Sequence, residues 1–235
     1  IFSTKASTIF FLAVLYCDLG ETEEAMGMFK RVMDGQKEIL GSTHIETLDT
    51  LSNMGILLKN EANNEEAIEV YIELLAGQLE NLGEGHIDIT HTQACLADLC
   101  RTQGRLEEAE SLYIRALEGY TKFMEQIKQT SNHAENQREI ETEMMEMYHY
   151  LAIVQYHLCK YEEAKTRYLI CVEGRTKLCG HDDEGTMDPA NNRAVLCPQQ
   201  GQFDAAAVVD SRALEGREEA IGSSQPARSH RDSRR

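Results

Sequence analysis

The chain has 235 residues, 42% of them hydrophobic, with only 3 prolines and no tryptophan. Its formal net charge is −17 at pH 7, and the tail 223–235 contains four Arg and one Asp, so residues 1–222 carry −20. Such an acidic body repels phosphate groups, which argues against binding of nucleic acid or of an anionic membrane surface. The apolar run Ile9–Tyr16 is too short to span a bilayer and predicts a buried helix. The scarcity of proline and the many Glu, Ala and Leu residues favour an all-helical fold.

One short pattern returns along the chain and defines a repeat. In four of its five copies it reads Glu-Glu-Ala, and an aromatic residue follows the alanine by four positions. The alanines of the five copies are Ala25, Ala67, Ala109, Ala164 and Ala206. Their spacings are 42, 42, 55 and 42 residues, so one unit occurs five times with a single insertion of 13 residues. Self-similarity at a fixed period of this size is the signature of a stacked repeat array.

Each unit is predicted to contain two helices, which we call helix A and helix B. In the second unit, apolar residues at spacings of three and four predict helix A over 47–59 and helix B from about 65 to 81. Gly83 then follows, and a glycine past a helix end can adopt the left-handed conformation that closes the last turn. A small residue stands twelve positions before each repeat alanine: Ala13, Gly55, Ala97, Ala152 and Ala194. These positions predict a close crossing of helices A and B.

The later units depart from the regular pattern. Helix B of the third unit is expected to continue past residue 124, and the next helix A to run from about 133 to 158. In the fifth unit Arg193, Pro198 and Asp210 interrupt the pattern, so this unit is either an atypical terminal cap or a decaying repeat that packs poorly. The predicted organisation is a repeat domain and a disordered basic tail: domain 1–222, repeats at about 4–41, 46–83, 88–124, 143–180 and 185–222, an insertion at about 125–143 that extends a helical hairpin, and the tail 223–235.

Three stretches carry a resemblance to a known repeat family. They are Leu-Gly-Ser-Thr-His-Ile-Glu-Thr-Leu over 40–48, Ser-Asn-Met-Gly over 52–55, and Leu-Gly-Glu-Gly-His-Ile-Asp over 82–88. With the 42-residue period, they resemble the tetratricopeptide repeats of the kinesin light chain and nephrocystin-type subclass. The resemblance implies an all-α fold, a right-handed α-solenoid of about five helix-turn-helix repeats. The family's usual Pro after the His is Ile45 and Ile87 here, and the heptad coiled coil that joins a kinesin light chain to its motor is absent, so motor association rests on resemblance only.

No motif of an enzyme is found. The chain contains no HExxH, Walker loop, GxSxG or dinucleotide fingerprint. His44 and His86 recur one period apart, which indicates a structural role. The seven cysteines are odd in number and include no CxxC, so we expect reduced thiols in a cytoplasmic protein. His91, Cys95 and Cys100 lack a fourth partner for a zinc site, and we predict no catalytic residue, no metal and no cofactor.

The resemblance implies that the A helices line a concave groove that binds a peptide. The candidate groove residues are helix A positions that do not face the core: Asp49, Asn53, Lys59, Asn60, His91, Asp98, Arg101, Glu146, His149, Tyr150, Tyr156 and Asn192. By resemblance, Asn53 and Asn192 match an asparagine that hydrogen-bonds the backbone of an extended peptide. The acidic groove positions and body predict a basic or neutral partner segment, with apolar anchors for Tyr150 and Tyr156.

Two hypotheses for function follow. The first is a non-enzymatic interaction scaffold or adaptor, similar to a kinesin light chain, that binds a peptide segment. The second is a regulatory repeat region of a larger signalling protein, with an effector or ATPase domain upstream and the repeats acting in self-association. Heptads upstream of Ile1 would favour the first hypothesis, and a Walker loop would favour the second.

Overall fold

The computed structural model describes residues 2–83, 85–129 and 134–179. Within these ranges the chain forms helices joined by short connections, and no strand occurs among them. In chain order the helices are α1 (Phe2–Asp18), α2 (Thr22–Ile39), α3 (Ile45–Asn60), α4 (Asn64–Leu82), α5 (Ile87–Thr102), α6 (Leu106–Gln129), α7 (Ala134–His157) and α8 (Tyr161–Cys179). The all-α prediction is confirmed. The fifth unit, the candidate Asn192 and the tail 223–235 lie outside the described residues.

The chain divides into two compact units, Ile1–Ile140 and Glu141–Arg235. The first contains three successive pairs of helices, in which α1, α3 and α5 are A helices and α2, α4 and α6 are B helices. The second contains most of α7, an A helix, and its partner α8. Helices α6 and α7 have 24 residues each, five more than α4 and eight more than α5, so the thirteen extra residues are distributed over these two helices.

The core of the first unit runs continuously from one helix pair to the next. Phe29 packs with Met54 and Leu57 of α3, so the second pair covers the first. In the same way, Tyr71 lies in a cluster that includes Leu96 of α5. Each pair therefore buries its apolar face against the following pair, which is how a repeat array builds one core.

A buried polar contact also joins successive helix pairs. The Thr50 hydroxyl on α3 donates a hydrogen bond of 2.7 Å to Oε1 of Gln36 on α2, and both side chains are buried. Because a buried polar group without a partner is costly, this bond favours one register of α3 on α2.

The repeat alanines lie at the crossings of A and B helices, as predicted. All four described examples, Ala25, Ala67, Ala109 and Ala164, have no exposed surface. Gly55 was expected to allow the backbones of helices A and B to approach closely. Its nearest neighbour is instead a side chain, because a Cβ at Gly55 would meet the ring of Tyr71 at 2.8 Å. The aromatic residue four positions after the repeat alanine therefore fills the space beside Gly55.

A second series of small residues was overlooked in the sequence. Ten positions after the repeat alanines stand Gly35, Gly77, Gly119, Gly174 and Gly216. In the structure, a Cβ added to Gly77 would meet Leu48 at 2.5 Å, and one added to Gly119 would overlap Thr90. Leu48 and Thr90 are themselves one period apart on α3 and α5. Helices α4 and α6 therefore each have a second close approach to their A helix, near the beginning of the A helix.

The ends of the helices follow the repeat as well. Gly41 and Gly83, which follow α2 and α4, have φ of +96° and +75°, as expected for helix-ending glycines. His44 and His86 precede α3 and α5, and their Nδ1 atoms accept hydrogen bonds of 3.3 Å from the backbone N–H groups of Glu46 and Asp88. The structural role predicted for the recurring histidines is therefore that of N-caps.

The apolar run Ile9–Tyr16 forms part of α1 but is only half buried. Ala13 is fully buried, whereas Phe11 is 69% exposed and Leu15 is 52% exposed. The prediction of a buried helix is correct only for the face that α1 turns toward α2 and α3.

Candidate functional site

Seven of the candidate groove residues lie on α3 and α5 of the first unit, on a surface that we call the A-helix face. They are Asp49, Asn53, Lys59 and Asn60 on α3, and His91, Asp98 and Arg101 on α5. All seven are exposed or half-buried, so a ligand could contact them. Their contacts within the protein divide the face into an acidic end and a basic end.

The basic end is built around the carboxylate of Asp98. Lys59 Nζ lies 3.3 Å from Asp98 Oδ2 and joins α3 to α5. The Tyr113 hydroxyl on α6 donates a 2.5 Å hydrogen bond to Asp98 Oδ1. Arg101 Nη2 lies 3.6 Å from the same oxygen, and Arg101 Nε donates to the Tyr113 hydroxyl at 3.3 Å.

This network corrects the charge argument made from the sequence. Asp98 was counted there as an open acidic position of the groove, but two cations surround its carboxylate. Lys59, Arg101 and Asp98 together carry one positive charge. Burial, and then the nearby carboxylate of Asp98, raise the pKa of the Tyr113 hydroxyl, so that it stays protonated and donates to Asp98.

The acidic end lies at the beginnings of α3 and α5. Burial, and then the neighbouring carboxylates of Asp88 and Glu46, raise the pKa of Asp49 above its ordinary value. Burial is the larger cause, and the contributions of Asp88 and Glu46 indicate that these carboxylates lie near Asp49. Sequence reasoning did not include Glu46 and Asp88, although they stand one period apart and their recurrence could have indicated them.

Asn53 lies between the two ends. Its Nδ2 donates a 2.8 Å hydrogen bond to the backbone carbonyl of Asp49, on the same helix. An asparagine amide has two N–H donors and one carbonyl acceptor, so this bond orients the group while engaging one of its hydrogens. Asn60 is exposed in the last turn of α3.

His91 is held by the B helix of its own repeat. Its Nδ1 lies 2.6 Å from the hydroxyl of Tyr120 on α6, and the two rings meet edge to face with centroids 5.3 Å apart. Tyr120 and Tyr113 are B-helix residues that sequence reasoning did not assign to the site. Their place on the repeat pattern was visible, but their contacts with groove residues were not.

In the second unit, four candidates lie on α7, and three of them contact other aromatic rings. His149, Tyr150 and Tyr156 are half-buried, and Glu146 is exposed. His149 meets Tyr150 and Tyr168 edge to face at centroid distances of 5.4 and 5.9 Å. Tyr156 makes similar contacts, at 5.6 Å, with His157 and with Tyr161. Tyr161, which is 37% exposed, extends the cluster and was not among the predicted residues.

The described residues offer neither a metal site nor a membrane-spanning helix. Within residues 2–83, 85–129 and 134–179, no three His, Cys, Asp or Glu side chains are grouped so that they could hold a metal ion. None of α1 to α8 combines the length and apolar character that crossing a membrane requires.

The comparison with protein families identifies the repeat. The family model of the tetratricopeptide repeat matches residues 5–80, 51–122 and 143–219, which is most of the chain. The chain therefore belongs to the tetratricopeptide repeat family, and the matched ranges include the sequence of the fifth unit. A search of curated proteins found no match.

Solved structures share the fold. BtubC (BKLC) from P. vanneervenii has 18% sequence identity and a TM-score of 0.70, covering 97% of this chain and 85% of that one. A putative kinesin light chain with nearly identical TPR-like repeats from Podospora anserina has 18% identity and a TM-score of 0.65, covering 96% and 98%. MamA from Desulfovibrio magneticus RS-1 has 12% identity and a TM-score of 0.65, covering 92% and 96%. The similarity to kinesin-light-chain-type repeats is thus confirmed at the level of the fold. The tetratricopeptide repeat family, to which the chain belongs, is one of protein–protein interaction scaffolds.

Proposed function

We propose that the A-helix face binds a peptide segment of a partner protein, which makes the chain a non-enzymatic scaffold or adaptor. The observation that carries the proposal is the separation of charge along this face. Its acidic end is formed by Glu46, Asp49 and Asp88. At its basic end, the two positive charges of Lys59 and Arg101 outnumber the one negative charge of Asp98. A surface with this arrangement favours a ligand whose charges are opposite to those of the two ends, bound in one orientation.

The acidic end favours a Lys or Arg of the partner. Burial, and then the carboxylates of Asp88 and Glu46, raise the pKa of Asp49, so its ionised form is disfavoured in the folded protein. A bound cation would relieve the repulsion, so binding of a basic residue and ionisation of Asp49 favour each other. The protein's overall charge of −17 adds long-range attraction for a basic segment.

The remainder of the segment is proposed to be neutral. Over Asn53, the backbone of an extended peptide could exchange hydrogen bonds with the amide group. Near Lys59 and Arg101 it would present carbonyl oxygens, which need no full negative charge. In the second unit, taken by itself, Tyr150 and Tyr156 offer half-buried rings already held by their neighbours, and we propose them as anchors for apolar side chains of a partner.

Association with a kinesin motor and the alternative of a regulatory repeat region that self-associates stay hypotheses from the sequence. No contact among the described residues favours either of them over a general peptide-binding scaffold.

The test uses an array of synthetic extended peptides that differ in charge, followed by titration of selected peptides at low and at physiological salt. We expect enrichment of peptides with Lys or Arg and a weaker affinity at the higher salt, because screening removes the attraction. Asp49→Lys should weaken binding about tenfold, as expected for a charge reversal in an interface. Asp34→Lys is the matched control, because it changes the net charge equally on α2, away from the A-helix face.

Two results would contradict the proposal. One is enrichment of peptides rich in Asp or Glu. The other is an equal loss of affinity in both variants, which would mean that only the long-range field of the protein matters.

A further inference from the structure

A cleft of about 410 Å³ lies between α4 and α6, beside the end of α5. Its apolar lining comes from three helices: Ile68, Ile72 and Leu75 of α4, Leu96 and Cys100 of α5, and Leu112 of α6. Ile68, Leu96 and Cys100 are buried, whereas Ile72 is 53% exposed. Buried apolar residues therefore form the floor of this α4/α6 cleft, and an isoleucine stands at its mouth.

The α4/α6 cleft is separate from the A-helix face. Successive residues of an α-helix are turned by about 100°, so Leu96 and Cys100, each two positions from Asp98, lie on the opposite side of α5. Asp98 belongs to the network with Lys59 and Tyr113, whereas Leu96 and Cys100 line the cleft. A ligand in the cleft would consequently contact different residues from a peptide on the A-helix face.

The rim of the cleft is acidic. Glu107 and Glu108 line it on α6, and both are exposed. Exposed Glu65 and Glu69 stand three positions before Ile68 and Ile72 on α4, and residues at this spacing are neighbours on a helix surface. Arg105 also lines the cleft, and its guanidinium is paired with Glu108 through contacts of 3.1 and 2.5 Å, so these two charges offset each other. The net negative charge of the rim therefore comes from Glu65, Glu69 and Glu107.

We propose that the α4/α6 cleft docks an amphipathic helical segment of a partner protein, with bulky apolar side chains in the cleft and Lys or Arg over its rim. The apolar floor supplies burial, and the glutamates supply charge complementarity, as in other complexes in which a helix occupies a groove. The partner would cover Ile72. The proposal gives the first unit a second binding surface, in addition to the proposed peptide site on the A-helix face.

The test uses two synthetic amphipathic peptides with the same leucine face, one with Lys and one with Glu on the polar face. Binding is measured by fluorescence anisotropy at low and at physiological salt. We expect the Leu/Lys peptide to bind and the Leu/Glu peptide to bind at least tenfold more weakly, with salt reducing the difference.

Substitutions locate the binding site. Ile72→Ser should weaken binding of the Leu/Lys peptide about tenfold, because it removes apolar surface that the peptide would bury. Ile39→Ser is the matched control, since Ile39 is 55% exposed on α2 and should leave the affinity unchanged. Circular dichroism and urea unfolding would show that both variants are folded.

Several outcomes would overturn the proposal. Equal binding of both peptides would exclude recognition by the acidic rim, and equal effects of the two substitutions would exclude the cleft. Loss of binding in Asp49→Lys but not in Ile72→Ser would place the peptide on the A-helix face, which would support the proposed function while removing this inference. Self-association of the wild-type protein that Ile72→Ser abolishes would identify a second copy as the occupant.

Discussion

The hydroxyl of Tyr113 donates a 2.5 Å hydrogen bond to the carboxylate of Asp98, a contact that the preceding repeat does not reproduce. Tyr71 stands one period earlier, and its buried hydroxyl lies beside the thiol of Cys95. Both rings fill the same place in their repeats, but only Tyr113 joins the core to the charged side chains of the A-helix face.

The two tyrosines should therefore respond differently to loss of the hydroxyl. Tyr113→Phe is expected to lower the free energy of unfolding by about 1.5–3 kcal/mol, since hydrogen bonds to charged groups are among the stronger ones. Tyr71→Phe should cost less, because the buried Tyr71 hydroxyl makes no hydrogen bond with the described residues. Urea unfolding of the two variants measures the difference, and equal losses would show that the contact with Asp98 adds nothing.

Alkaline pH should destabilise the first unit. Burial is the main cause that raises the pKa of Tyr71 and Tyr113 above the ordinary value of about 10. Between the ordinary and the raised pKa the unfolded chain binds fewer protons than the folded one, so stability falls as pH rises. The stabilisation from the two buried, protonated tyrosines is fully present below about pH 10. It is lost as the pH rises toward the pKa values of these tyrosines in the folded protein.

The measurement is the free energy of unfolding in urea at a series of pH values from about 8 to 11. The decline should be less steep in Tyr113→Phe, because one of the responsible groups is gone. The same slope in this variant and in the wild type would assign the decline to other groups.

Close packing at Gly119 makes this residue sensitive to a single methyl group. A Cβ there would overlap the buried Thr90, so Gly119→Ala should cost about 1–3 kcal/mol, as other overpacked cores do. Gly27→Ala is the control, because Gly27 lies inside α2 with nothing within 4 Å of an added Cβ. It should gain up to about 1 kcal/mol from helix propensity. Thermal unfolding measures the stability of both variants. A gain in stability in both would refute the close approach of Gly119 to Thr90.

The cap at His44 should be replaceable by another acceptor. His44→Ala removes the Nδ1 atom that accepts from the backbone N–H of Glu46, and we expect a loss of about 1 kcal/mol. His44→Asn should retain most of the stability, since asparagine is a good N-cap. Urea unfolding measures both variants, and equal losses would assign the role of His44 to packing.

The free-energy cost of ionising Asp49, which comes first from burial and then from its acidic neighbours, should depend on pH. Because its folded pKa is raised, ionised Asp49 destabilises the folded state above that pKa, and the penalty disappears below the unfolded value of about 3.9. Asp49→Asn should therefore raise the melting temperature at neutral pH, and the gain should vanish in acid. The exposure of Asp49 limits the gain to less than about 1 kcal/mol. Asp34→Asn on α2 is the control, and the same gain there would contradict the local origin.

Much of the fold could be predicted from the sequence because the relevant signals are local. The alanines at 25, 67, 109 and 164 marked the helix crossings, and Gly83 marked a helix end. The spacing of apolar residues and the residues at the two ends together predict where each helix begins and ends. The recurrence of His44 and His86 indicated a structural role, although the capping bond itself became visible only in the structure.

The candidate site was predictable only as a set of positions. The sequence alone determined the repeat, the helix pairs and the helix faces that could meet a ligand. Only the tertiary structure decided that Lys59 pairs with Asp98, 39 positions later, that Asp88 lies near Asp49, and that a cleft opens between α4 and α6. Periodicity reports which face of each helix is apolar, whereas contacts between charges on different helices depend on how the helices stack.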